Sequence, residues 1–260
     1  MGDLLATATL LVGHAEGGTP LSETAVVVLA AGVTVAAVRR LGGSAWLAVA
    51  AACVGVFALL GPPDRLADDA LSAHMLQHVL LGDLAPLLLV LSLRGADLAR
   101  LVRLAGPLLH PLVALAGWAA VTGLWHVPAL YDLALAHEPV HAFEHGCFAG
   151  AGLLVWVALL DPARRGRLAG WRRFGFAIAL LAGAQILGNV LILEGPLYGG
   201  YAHADRPFGL SAVGDQDAAA VVMMVEQLLT VGTFAFVTAR RLLAHTPEPT
   251  AGAARHPLAV

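Results

Sequence analysis

Seven stretches of this chain each carry at most one acidic residue and no basic one: 23–38, 45–60, 71–93, 107–125, 140–160, 174–193 and 218–239. About twenty consecutive apolar residues suffice for a helix to cross the hydrocarbon core of a bilayer. Inside that core every backbone N–H and C=O must find its partner within the segment or a closed barrel. The stretches are continuous and rich in Leu, Ala and Val, without the alternation of a barrel strand. The pattern therefore predicts an all-α, polytopic membrane protein with seven transmembrane helices.

Charge arithmetic agrees. Only 13% of the 260 residues are charged and 58% are hydrophobic, with a mean hydropathy of +0.78. A soluble domain is about one-quarter charged because its surface faces water. This excludes a soluble enzyme, a disordered tail and a nucleic-acid binder, and makes the lipid bilayer itself a partner. The two cysteines, Cys53 and Cys147, lie in apolar runs and form no CxxC motif.

All fifteen basic residues are arginine, and their placement orients the bundle. Arg39, Arg40, Arg94, Arg100, Arg103, Arg164, Arg165, Arg167, Arg172, Arg173, Arg240, Arg241 and Arg255 follow the odd-numbered stretches. The alternate loops hold only Arg65 and Arg206. Positive charge collects on the cytoplasmic side, so the N-terminus is expected outside and the C-terminus in the cytoplasm. Residues 1–22 read as an external segment without a basic signal-peptide start, 23–241 as the seven-helix domain and 242–260 as a cytoplasmic tail.

In this topology the histidines separate. His74 and His78 open the third stretch from outside, His126 closes the fourth, and His137, His141 and His145 lead into the fifth. His14 and His203 fall in external segments, while His110, His245 and His256 are cytoplasmic. An i,i+4 stride puts histidines on one helix face. Two helices running inward in parallel, each presenting HxxxH, can converge on a metal, since neutral imidazole is the commonest metal ligand. His74, His78, His126, His141 and His145 form the expected set, with Gln77 and Glu144 placed to orient the rings.

Other polar groups inside the stretches are costly in lipid and so informative. Asp83 and Glu226 are expected near a cation or proton, balancing a bound metal or taking up protons as it binds. Met223 and Met224 could offer a thioether to Cu(I). Gln185 and Asn189 read as interhelical hydrogen-bonding residues, and Cys147, turned away from His145, as packing.

HMLQHVLLGDLAPLLLVL at 74–91, WHVPALYDLAL at 125–135 and HEPVHAFEHGCFAGAGLLVW at 137–156 together resemble the CtaG family, seven-helix cytochrome c oxidase assembly factors of the caa type. The resemblance runs from about residue 71 to 241. It implies a bacterial plasma-membrane protein that acts with an oxidase subunit during maturation of a haem-copper oxidase, in a family commonly tied to its copper centre. It maps the motif histidines onto His74, His78, His126, His141 and His145, with Trp125, Pro128 and Tyr131 as framework. Copper is the expected cargo. Two alternatives stay open: an intramembrane zinc hydrolase of the ceramidase type, with Asp83 or Glu144 as base and Ser72 beside an oxyanion, and a b-type haem protein.

Overall fold

The computed structural model describes residues 21–94, 96, 98–99, 105–163, 165–201 and 207–244, with side chains from residue 24 onward. His14, His203, His245, His256, Arg100, Arg103, Arg164, Arg206 and Arg255, nearly all of the external segment and most of the tail lie outside the described residues. Among those described there are helices and no strand.

In chain order they are α1 (Leu21–Arg40), α2 (Ala45–Leu60), α3 (Pro62–Leu66), α4 (Leu71–Val79), a first π-turn (Leu80–Leu84), α5 (Ala85–Ser92), α6 (Pro111–Trp125), α7 (Pro128–Ala136), α8 (Glu138–Leu160) and α9 (Gly170–Leu193). There follow a 3₁₀ turn (Gly199–Tyr201), α10 (Ala212–Gln227), a second π-turn (Leu228–Gly232) and α11 (Thr233–Ala244). The first expected stretch falls within α1. Among the described residues five spans are long and apolar enough to cross a membrane, Ala45–Leu66, Leu71–Ser92, Glu138–Leu160, Gly170–Leu193 and Ala212–Ala244, and α1 is not one of them.

The fourth expected span differs. Pro111–Trp125 and Pro128–Ala136 meet at a 75° bend and reach crossing length only as a pair. Pro128 stands at the first position of α7, where its missing N–H costs nothing and its fixed φ starts a new helix axis. Large apolar side chains point outward around the bundle, among them Trp46 and Leu193, each more than four-fifths exposed. Exposure of this kind suits a surface bathed in lipid.

Two local devices position the site. Ala70, which precedes α4, has no side-chain oxygen to cap the helix. Asp215 of α10 does it from across the bundle: its carboxylate accepts from the backbone N–H of Leu71 at 2.6 Å and of Ser72 at 3.2 Å, and from the Ser72 hydroxyl. A carboxylate at a helix start also answers the helix dipole, and it locks α4 to α10.

The second device lies at the first π-turn. Pro86 has no N–H to give the Gly82 carbonyl four residues earlier, so a regular α-helix is interrupted there. Gly152 of α8 packs onto that carbonyl so closely that a Cβ would overlap it. Gly152→Ala is therefore expected to destabilise the fold by roughly 1–3 kcal/mol through overpacking. A lower thermal transition in detergent would register it; an unchanged one would contradict the contact.

Candidate metal centre

The strides read from sequence become one cluster. The rings of His74 and His78 on α4 lie 4.3 Å apart between centroids, and those of His141 and His145 on α8 lie 4.2 Å apart. Across the helices His74 is 4.8 Å from His141 and His78 is 5.3 Å from His145. One nitrogen from each of the four falls within 4.8 Å of the others. A tetrahedral ion bound at 2.0–2.1 Å would hold ligand nitrogens about 3.3 Å apart. The nitrogens, up to 4.8 Å apart, would have to draw together to close the set.

Hydrogen bonding assigns the ring protons. The Tyr201 hydroxyl donates to the Ala67 carbonyl at 2.7 Å, and a phenol has only one proton to give. Its oxygen must then accept from both neighbours, the Tyr131 hydroxyl at 3.1 Å and His74 Nδ1 at 3.0 Å. His74 thus carries its proton on Nδ1, and its Nε2 lone pair faces the cluster. Burial pushes the Tyr201 hydroxyl above its ordinary pKa, so the proton stays in place at any physiological pH. With no metal bound, the 2.9 Å contact between His74 Nε2 and His78 Nε2 requires the proton to sit on His78.

The remaining polar atoms argue for a ligand. His141 Nε2, His145 Nε2 and both Glu144 carboxylate oxygens are buried without a hydrogen-bond partner. Such groups are rare in folded proteins because each carries an unrelieved desolvation cost. Glu144, fully buried on α8, puts Oε1 3.8 Å from His78 Nε2. Four imidazoles with a carboxylate beside them can take a transition-metal cation and neutralise part of its charge.

The other expected residues lie elsewhere. The structure leaves His126 out of the four-histidine group: its Nδ1 donates to the Thr122 carbonyl at 2.8 Å. Gln77 does not orient a ring, because its amide donates to the Ala58 carbonyl and to Asp64 on α3. The Ser72 hydroxyl is bound to Asp215 and faces no reaction site. Asp83 accepts from Trp156 Nε1 at 2.7 Å, Gln227 Nε2 at 2.7 Å and Thr230 Oγ1 at 3.2 Å. Glu226 has both oxygens buried and unpartnered, and Met223 packs beside it along one cavity wall. Gln185 reaches across to the Met224 carbonyl, whereas Asn189 bonds back to its own helix.

Residues 27–245 match the family described as cytochrome c oxidase caa3 assembly factor. The chain belongs to that family. This caa3 assembly factor is thus a helical membrane protein that interacts with the oxidase during its assembly. No curated protein and no solved structure matches it. Tyr201 is the member of the assembly factor's cluster that spacing alone does not reveal. It arrives from a loop 123 residues after His78, and a tyrosine in a Gly-rich loop carries no signature.

Proposed function

We propose that this assembly factor takes up copper at the His74–His78–His141–His145 site and passes it to an oxidase subunit within the membrane. The observation that carries the reading is the convergence of four ring nitrogens with a buried carboxylate beside them. Family membership supports the process, and an imidazole donor set suits copper as the cargo. Imidazole accepts copper in either common oxidation state, and a partner with matching ligands can receive the ion by ligand exchange without net redox chemistry. Glu144 offsets the ion's charge, which would otherwise be costly so deep in the bundle. The arginine distribution supports seven crossings of a bacterial plasma membrane, an outside N-terminus and a cytoplasmic C-terminus, so that the histidine site opens outward.

Metal analysis and an absorption spectrum of gently purified protein test the reading. Wild type is expected to hold copper, and the His74/His78/His141/His145 quadruple alanine variant is expected to lose it at this site and to block oxidase maturation in cells. Normal maturation with that variant would overturn the proposal. A Soret band would favour the haem reading, and zinc with lipid amide cleavage would favour the hydrolase.

Tyr201→Phe removes only one oxygen from the site. Groups that orient metal-bound histidines are typically worth about 10–100-fold in affinity, and a loss of that size is expected in competition with a Cu(I) chelator. The ¹⁵N spectrum of histidine-labelled protein should show the His74 Nδ1 resonance shift as its phenol acceptor is lost. An unchanged His74 resonance would refute the contact.

A further inference from the structure

Behind His78 lies a cavity of about 70 Å³, walled by α4, α6, α8, α9 and α10. That is several times the roughly 10–15 Å³ needed for one water. His78 shares its wall with the four-histidine site, and His126, Met223, Glu226 and Gln227 line it from the other elements.

The polar groups around this cavity are lopsided. Trp156, Gln227 and Thr230 direct their donors to Asp83. His126 spends its Nδ1 proton on the Thr122 carbonyl, which leaves a lone pair on Nε2. That nitrogen is buried without a partner, in a side chain only 9% exposed. Both Glu226 oxygens and Gln227 Oε1 are likewise buried and unpartnered. Thr122 adds a hydroxyl, which can accept or donate. What faces the cavity is a set of unmet acceptors with the thioethers of Met75 and Met223 among them. An acceptor set of this kind selects a cation.

We infer that this cavity is a second metal station, which takes one copper(I) ion through His126 Nε2, the Glu226 carboxylate and the Met223 thioether. The inference rests on the copper reading of the first site and extends it from one station to two. Thioether and imidazole are donors that copper(I) accepts, and the Glu226 carboxylate cancels its single charge, while Asp83 on the same wall is taken up by its three donors. Thr230 bridges the two groups, its hydroxyl lying against the Glu226 backbone carbonyl and Asp83. The ion would pass from one station to the other along the His78 ring, with no change of oxidation state.

Copper(I) stoichiometry tests this, measured anaerobically on the full-length protein in detergent, with the fold of each variant checked by its thermal transition. Wild type is expected to bind two copper ions per chain. The His74→Ala/His141→Ala/His145→Ala variant, which leaves the shared His78 in place, should keep one. Its X-ray absorption spectrum should contain a sulfur neighbour that Met223→Leu removes. His126→Ala with Glu226→Gln should also keep one copper, without sulfur. If wild type binds a single copper that the triple variant loses and the His126/Glu226 variant keeps, the second station is overturned and the first stands. If the triple variant binds as much as wild type, with sulfur, the first site is overturned and the cavity stands. No copper in any variant overturns both.

Discussion

Alanine at His74 is expected to weaken copper(I) binding at the four-histidine site by more than ~100-fold, beyond what an orienting group is worth. His74 is fully buried, and its ring lies within 6.5 Å of the other three. It is also the ring whose free lone pair is dictated by the Tyr201–Ala67 hydrogen bond. Removing it deletes a ligand and the anchor of that ligand together. His74→Gln keeps the volume and an amide that can still donate to Tyr201, so it separates loss of the ligand from loss of packing. Cys147→Ser is the control: Cys147 is two residues from His145 and outside the cluster, and its replacement should leave affinity unchanged. Chelator competition measures all three. Wild-type affinity in His74→Gln would remove His74 from the ligand set.

The largest effect on stability is expected at Asp83. Three donors from three segments end on its carboxylate. Trp156 among them is fully buried. In a bilayer no bulk water replaces a lost partner, and each buried group left unsatisfied costs about 1–3 kcal/mol. Asp83→Ala should therefore destabilise the fold by roughly 3 kcal/mol or more. Asp83→Asn retains one carbonyl acceptor and should recover part of the loss. Thermal unfolding in detergent decides it, and equal stability of Asp83→Ala and wild type would show that the network carries no net weight.

Whatever depends on periodicity could be read before the fold was known. Apolar runs mark helices because lipid forbids alternatives, and the His74/His78 and His141/His145 strides fix a helix face whatever surrounds it. What depends on where a side chain ends could not be read. His126 shares the expected depth of the cluster, yet the Thr122 carbonyl turns its ring so that the other nitrogen faces a different space. Gln77 neighbours a ligand in sequence but points toward α2 and α3. Tyr201 and Asp215 act on α4 from well over a hundred residues away, and no local pattern announces such a partner. The 75° bend was not read from the sequence, where Pro128 stood only as a framework residue beyond the fourth stretch.

The first π-turn has a consequence in phase. On an unbroken α-helix, at about 100° per residue, residues five apart such as His78 and Asp83 would point roughly 140° away from each other. Here both lie on the wall of one cavity. The wider turn acts as a one-residue insertion that re-times the helix, bringing the carboxylate network back under the histidines without moving the ends of the span. Deleting one residue between 80 and 84 would restore the ordinary rhythm and leave Asp83 four steps from His78, about 40° round the helix, so the phase beyond the turn would hold. A regular α-helix with every residue kept would instead turn the carboxylate network about 100° away from the histidines.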